Sequence, residues 1–205
     1  MRTPVVWAEE SFRALKKCDV LGTHAKRFGP PRLETHNDRF RALALTVVSQ
    51  QLSGKAAESI FAKLENAVKK VEPKQLLAAS EETLRGAGLS GAKARTLKAI
   101  SEAALDGLDL KRANEWSDED LRSRLCEIKG IGPWTAEMFS MFCLGRPDVC
   151  SPGDLGLRKG LRLVYGLEGV PDPRVCEGLF ERWRPWRTAA SWYLWRVLEG
   201  ENAVW

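Results

Sequence analysis

Two segments in the second half of the chain carry residue types that can do chemistry together. Gly130-Ile131-Gly132 separates two predicted helices, and Asp154 follows in Ser-Pro-Gly-Asp-Leu, where a third helix should begin. Glycines allow a tight turn, and the free amides of the helix that Pro133 opens favour a bound anion. A helix N-terminus favours an ionised carboxylate, which can stabilise positive charge that develops in a reaction. These two segments could therefore form an anion site followed by a carboxylate that takes part in a reaction.

Both segments also have structural interpretations that require no ligand. A bare Gly-x-Gly is most often a tight turn between helices, and aspartate is a common N-cap residue. The N-cap and catalytic roles of Asp154 are compatible, and its nearest acidic rival, Asp148, lies in a less suitable loop. A formal net charge of +5 and a pI of about 9.0 are compatible with a polyanionic partner.

Helical periodicity runs through most of the chain, and strand signals are few. Apolar residues within 40–48 recur at i, i+3, i+4 and i+7, which predicts a helix that Gly54 should end. Another helix is predicted over 92–105, and the tail 175–198 reads as helical with an interruption at Pro185. We expect an all-α protein with about ten helices.

Three sequence blocks, together with the acid at position 154, resemble one family. They are Gly-Ile-Gly-Pro-Trp-Thr-Ala from residue 130, Ser-Gln-Gln-Leu-Ser from residue 49, and Arg-Trp-Arg-Pro-Trp-Arg from residue 182, with Trp195 beyond the last block. In this order they are similar to the helix-hairpin-helix (HhH-GPD) DNA glycosylases. Within that superfamily they most resemble the alkylpurine (3-methyladenine) DNA glycosylase II branch.

The resemblance implies a two-lobed helix-hairpin-helix glycosylase fold with the active site in the cleft between the lobes. One lobe, residues 39–146, would be a six-helix barrel that ends in the helix-hairpin-helix. The other lobe would combine residues 1–38 with residues 147–205 and carry the catalytic aspartate. Bent DNA would lie across the cleft.

The resemblance also assigns a catalytic residue and a pocket for the damaged base. Asp154 is the catalytic residue, and Trp134 and Trp195 lie beside the extruded base. Met138 follows Trp134 by one helical turn and would line the same pocket. Indole faces attract a cationic base through their π electrons. For Trp183 and Trp186, a place in the core is the preferred interpretation.

A further set of residues is expected to contact DNA. A base must leave the stack before its glycosidic bond can be attacked, and a side chain then fills the gap. By resemblance that wedge is Gln51, with Leu52 as the alternative. The expected DNA contacts are Gln50, Gln51, Leu52, Ser53, Lys129, Gly130, Ile131, Gly132, Arg158 and Lys159.

The implied reaction is hydrolysis of the N-glycosidic bond of an alkylated purine, which leaves an abasic site for base excision repair. The expected substrates are 3-methyladenine and 7-methylguanine, with ethenoadenine and hypoxanthine left open. Glycosidases generally use two carboxylates, but a purine alkylated at N3 or N7 already carries positive charge, so one suffices. Trp134 stands where lyase-competent relatives have a Schiff-base lysine, which predicts base removal without strand cleavage.

No organic cofactor and no metal-ligand set is expected. The five cysteines are scattered without a Cys-x-x-Cys pair, and the two histidines show no ligand spacing. By resemblance, carbonyl groups of the hairpin could hold a structural monovalent cation.

Duplex DNA with alkylated bases is the expected partner, bound by a monomer and away from membranes. No apolar run has membrane length, and the first ten residues lack signal-peptide features. These features predict a cytoplasmic protein, nucleoid-associated in a bacterium or nuclear in a eukaryote. The alternative function is a non-enzymatic helix-hairpin-helix DNA-binding protein, which would need neither Asp154 nor the tryptophan pair.

Overall fold

The structure, a computed structural model that describes residues 2–52 and 54–200, is almost entirely helical. Within those residues there are twelve α-helices, two 3-10 turns and one two-stranded sheet. The helices are α1 (Ala8–Leu15), α2 (Gly22–Phe28), α3 (Arg39–Ser49), α4 (Gly54–Val68), α5 (Pro73–Ala78), α6 (Glu81–Gly86), α7 (Gly91–Leu105), α8 (Asp118–Cys126), α9 (Pro133–Phe142), α10 (Leu155–Tyr165), α11 (Pro173–Phe180) and α12 (Arg187–Glu199). The strands are β1 (Arg2–Pro4) and β2 (Glu34–His36). The all-α prediction is confirmed.

The predicted helix over 40–48 is confirmed as α3, but the predicted role of Gly54 is wrong. Helix α3 ends at Ser49, and Gly54 is the first residue of α4. The left-handed residue after α3 is Gln51, whose φ is 58°. A glycine commonly supplies that conformation at a helix end, so the sequence rule chose the wrong residue.

Several other helix boundaries follow the local sequence signals. Pro73 is the first residue of α5, and the Ser90 side chain caps α7 by accepting from the amide of Lys93. The predicted helical tail is α11 and α12, with the expected interruption around Pro185. The longest helices, α4 and α7, have fifteen residues each. In the part of the chain that the structure describes, no helix combines the length and apolarity needed to cross a bilayer.

The chain folds into two compact units. The hairpin unit contains His36–Phe139, and the aspartate unit combines Arg2–Thr35 with the chain from Ser140 onward. The predicted lobes, 39–146 and the remainder, stay a prediction.

The core of the hairpin unit is formed by α3, α4, α5 and α7. Helix α3 packs against α4 and α7, and α5 packs along α7. Leu43, Leu64, Leu76 and Leu97 come from these four helices and are completely buried. Their burial stabilises each helix far more than its own backbone propensity does. Helix α7 is therefore a rigid support for the segments around it.

The core of the aspartate unit depends on a close approach of α10 and α12. A Cβ at Gly160 would lie 2.7 Å from the carbonyl oxygen of Leu194. Only a residue without a side chain fits there, so that the two backbones pack directly against each other. Helices α1 and α2 also pack on α12, and the Tyr193 hydroxyl donates to the carbonyl of Gly29 at 2.8 Å.

The substitution Gly160→Ala is expected to lower the free energy of unfolding by about 1–3 kcal/mol, because the methyl group overpacks the contact with Leu194. Gly178→Ala is the matched control, since Gly178 also lies in a helix and a Cβ there would meet nothing within 4 Å. It should be neutral or stabilising by up to about 1 kcal/mol. Urea unfolding measures both, and equal stabilities for the two variants would contradict the close approach.

Candidate active site

Asp154 is the N-cap residue of α10. Its Oδ1 accepts a hydrogen bond from the amide of Leu157 at 2.7 Å, and its own amide donates to the Ser151 carbonyl at 3.0 Å. The side chain is half-buried. The structural role considered for Asp154 is therefore present, and it orients the carboxylate.

A second donor reaches the same oxygen. The indole Nε1 of Trp195 donates to Asp154 Oδ1 at 3.1 Å. The Trp195 side chain is buried, with its ring centroid 5.7 Å from that of Phe142. A Cβ at Gly156 would lie 3.0 Å from Asp154 Oδ1 and 3.1 Å from Trp195 Nε1, so a larger residue would crowd this contact. Trp195 therefore positions the carboxylate, which the sequence-based interpretation did not foresee.

Asp148 is the acidic rival of Asp154, and its charge is already paired. Its carboxylate accepts from Arg187 Nε and from Arg184 Nη1, each at 2.7 Å. The Arg187 side chain is only 11% exposed. Two guanidinium groups therefore pair with Asp148 in a structural network. Asp154 accepts hydrogen bonds from the Leu157 amide and the Trp195 indole.

The hairpin is a tight turn between α8 and α9. Gly130 has a φ of 94°, and a Cβ there would overlap the side chain of Thr96 on α7. Ile131 is buried and donates its amide to the Ile128 carbonyl at 3.0 Å. Within residues 2–52 and 54–200, the amides of Gly130 and Gly132 donate to no acceptor. The turn can therefore offer amides to an anion, and the anion site itself stays a prediction.

The turn Gln50–Leu52 is bonded to this hairpin. Gln50 Nε2 donates to the carbonyl of Gly130 at 3.2 Å and to Thr135 Oγ1 at 2.9 Å. Gln51 and Leu52, the two candidate wedges, are both exposed. Ser53 lies outside the described residues. The predicted DNA contacts at 50–52 and 130–132 are thus neighbours in space, although about eighty residues separate them in the chain.

For the other predicted site residues the structure gives the position and burial, and their functional roles stay predictions. Trp134 and Met138 lie one turn apart on α9, the first half-buried and the second buried. Lys129 and Lys159 are exposed, whereas Arg158 Nε donates to the carbonyl of Pro171 at 2.8 Å. Arg158 therefore holds the loop before α11, a contact that sequence reasoning could not detect.

The remaining aromatic and thiol groups belong to the core or lack ligand geometry. Trp183 is 2% exposed and packs edge-on against Phe180 at 5.1 Å between ring centroids, which confirms its structural interpretation. Trp186 is only half-buried, with its ring centroid 6.4 Å from that of Trp7, so its interpretation as a core residue holds only in part. The five cysteines all lie in the described part of the chain and form no disulfide there. Among the described residues, no group of three or more His, Cys, Asp or Glu side chains could hold a metal ion.

Comparison with known proteins agrees with this geometry. The model of the HhH-GPD superfamily base excision DNA repair proteins matches residues 44–185. DNA-3-methyladenine glycosylase 1 of Schizosaccharomyces pombe is 36% identical, with 92% of this chain and 82% of that protein covered. An alkylbase DNA glycosidase-like protein of the same yeast is 32% identical, with 84% of each chain covered. A solved structure of the S. pombe 3-methyladenine DNA glycosylase in complex with abasic DNA is similar with a TM-score of 0.86 and 32% identity, over 96% of this chain and all of that one.

The chain therefore belongs to the HhH-GPD superfamily of base excision DNA repair proteins. The family match covers the Gln50–Leu52 turn, the hairpin and Asp154. Trp195 lies beyond the matched residues, and its place in the site rests on its hydrogen bond to Asp154.

Substitutions of Asp154 should separate its capping role from its chemistry. Asp154→Ala is expected to lower the free energy of unfolding by about 1 kcal/mol, because the acceptor for the Leu157 amide is lost. Asp154→Asn keeps an acceptor oxygen for both donors and should stay within about 0.5 kcal/mol of the native protein. Thermal and urea unfolding measure the difference. An equal loss in both variants would contradict the N-cap geometry.

Proposed function

We propose that the protein is a monofunctional DNA-3-methyladenine glycosylase, which hydrolyses the N-glycosidic bond of alkylated purines in duplex DNA and leaves an abasic site. The observation that carries this proposal is the geometry of Asp154, whose Oδ1 is oriented by the Leu157 amide and by the Trp195 indole. An N-cap needs only the first donor. The second donor fixes the direction of the carboxylate, which is what a group that must face a reacting atom requires.

The chemistry follows from the charge of the substrate. When the bond from C1′ to the purine nitrogen breaks, its electron pair leaves with the base, and positive charge develops on the sugar. A purine alkylated at N3 or N7 starts as a cation and leaves as a neutral base, so that no general acid is needed. The Asp154 carboxylate stabilises the sugar cation and accepts the proton of the water that adds to C1′.

The proposed partner is duplex DNA containing alkylated bases, bound by one copy of the chain. The amides of Gly130 and Gly132 and the exposed side chain of Lys129 suit a backbone phosphate, which fixes position without reading sequence. The similar S. pombe structure is a complex with abasic DNA, which supports this partner. The site of action is then the compartment that holds the genome, the nucleoid or the nucleus.

The wedge and the base pocket complete the proposal. Gln51 or Leu52 fills the gap in the stack, and Trp134 and Met138 contact the extruded base. Both wedge candidates are exposed, as insertion requires. Because Trp134 cannot form a Schiff base, the enzyme releases the base without cutting the strand.

A structural monovalent cation at the hairpin remains part of the proposal, and no step of the reaction uses it. Its ligands would be backbone carbonyls. The carbonyls of Ile128 and Gly130 each already accept one hydrogen bond, and a carbonyl oxygen can still offer a second lone pair. The cation would stabilise the turn in the conformation in which its amides face a bound phosphate. Otherwise the enzyme needs no cofactor.

The central test is base release from methylated duplex DNA. Wild-type protein should release 3-methyladenine and 7-methylguanine, with strand scission only after alkali, and Asp154→Asn should lose release by at least about 100-fold. Asp172→Asn is the matched control, because Asp172 is also an N-cap aspartate, on α11. It should act like the wild type. If the wild type binds DNA but releases no base, the protein is the non-enzymatic DNA-binding alternative.

The role of Trp134 is tested by the charge of the base. Trp134→Leu should slow release of cationic 7-methylguanine by about 2- to 30-fold, the value of a cation–π contact, and release of neutral hypoxanthine less. Trp134→Phe should fall between, because it keeps an aromatic face. Trp116, half-buried in the same unit, serves as the control through Trp116→Leu. Equal slowing of both bases by Trp134→Leu would refute a cation–π role.

A further inference from the structure

Lys93 makes an unusual contact at the end of α3. Its Nζ donates to the carbonyl oxygens of Val48 and Gln50, each at 2.7 Å. The last carbonyls of a helix lack partners within the helix and carry its negative dipole end. A lysine from another helix therefore supplies the C-terminal cap of α3, at the point where the Gln50–Leu52 turn begins.

The Lys93 ammonium group lies in a partly buried position that disfavours its charge. The side chain is half-buried, and this burial lowers the pKa of its ammonium group. In the described part of the chain no carboxylate pairs with it, so that backbone carbonyls alone compensate the charge. A surface lysine normally keeps its charged end in water. The unfavourable burial of the Lys93 ammonium group must therefore be offset by another stabilising effect. Since its two acceptors lie where the Gln50–Leu52 turn begins, we infer that this effect is stabilisation of the turn conformation.

The turn that Lys93 holds contains a strained residue. Gln51 has a φ of 58°, in the left-handed region that costs a residue with a side chain about 1–2 kcal/mol. Such a conformation persists only where its surroundings fix it. Lys93 bonds to the carbonyl just before Gln51, and the Leu52 amide just after it donates to Ser49 at 3.1 Å. Gln51 is therefore held in an exposed position from both sides.

The same helix also supports the hairpin. Thr96 follows Lys93 by one turn on α7 and packs against Gly130, where a Cβ would overlap it. Gln50 closes the arrangement through its bonds to Gly130 and Thr135. The rigid helix α7 thus sets the distance between the Gln50–Leu52 turn and the hairpin at 130–132. Both segments lie inside the hairpin unit.

We propose that Lys93 is a positioning residue, which holds the Gln50–Leu52 turn in its insertion-ready form and acts on extrusion of the base rather than on bond cleavage. This inference rests on the proposed function, since it assigns the turn to insertion into DNA. It predicts that loss of Lys93 harms reactions that require a paired base to leave the stack. Reactions on a base that is already unpaired should be spared.

The variants are chosen to keep charge and fold under control. Lys93→Met removes the ammonium group and keeps an unbranched stem, whereas Lys93→Arg retains donors and charge. Lys98→Met is the matched control, because Lys98 is half-buried on the same helix and its side chain makes no hydrogen bond or ion pair in the described residues. If Lys93→Met does not fold, Lys93→Gln replaces it. If neither folds, Lys93 is a stability residue and the proposal is overturned.

The first readout needs no catalysis. A duplex with 2-aminopurine beside a stable abasic-site analogue reports unstacking as a rise in fluorescence. Wild type, Lys98→Met and Lys93→Arg should produce the rise at saturating protein, and Lys93→Met should lose most of it. A full rise with Lys93→Met would overturn the proposal. This outcome is independent of base release, so failure of the proposed glycosylase activity remains distinguishable.

The second readout is single-turnover release of 7-methylguanine. Lys93→Met should be slower by about 10- to 100-fold on paired DNA, as expected for hydrogen bonds from a charged donor. When the target base lies opposite an abasic site, base pairing no longer opposes extrusion. On that substrate the release rate of Lys93→Met should lie within about twofold of the wild-type rate. Equal slowing on both substrates would place Lys93 in the chemistry or the general fold and overturn the proposal.

Discussion

The close approach of α10 and α12 is the constraint on which the orientation of the Asp154 carboxylate depends. Gly160 lets the backbone of α10 contact the Leu194 carbonyl, and Gly156, one turn earlier, leaves room for the Trp195 indole. The indole N–H then reaches the carboxylate that already caps α10. A larger side chain at either glycine would separate the helices, and Asp154 would keep its cap but lose its second donor.

The hairpin unit also contains a glycine that lets two elements approach closely. Gly130 lacks a side chain where Thr96 of α7 approaches, so that the hairpin lies directly on that helix. Lys93 and Gln50 then connect the turn after α3 to the same support. In both units, a glycine removes the steric barrier between two elements, and a polar side chain uses the short distance to fix a functional group. Glycines in this protein therefore determine distances as well as turns.

The charged side chains near Asp148 and Asp154 have different hydrogen-bond partners. The arginines at 184 and 187 are paired with Asp148 or Glu181, which makes them part of the fold. Asp154 receives N–H donors from the Leu157 amide and the Trp195 indole, which orient its carboxylate. Two aspartates six residues apart are therefore oriented by different partners.

Sequence patterns predicted what short-range physics controls. The apolar spacing of α3, the glycine turn at 130–132 and the cap at Asp154 depend on neighbours within one or two helical turns, and all three are found in the structure. The prediction for Gly54 failed because Gln51 adopts the left-handed conformation when side chains from elsewhere hold it there. A propensity rule has no information about such support.

The sequence by itself therefore determined the helical class, the family blocks, the hairpin and the N-cap at Asp154. Only the tertiary structure decided that Asp148 is neutralised, that Trp195 bonds to Asp154 and that Lys93 caps α3. These contacts join residues 36 to 45 positions apart, and each forms only because buried faces bring whole helices together. Their free energy comes from packing of the core, so no local pattern in the chain records them.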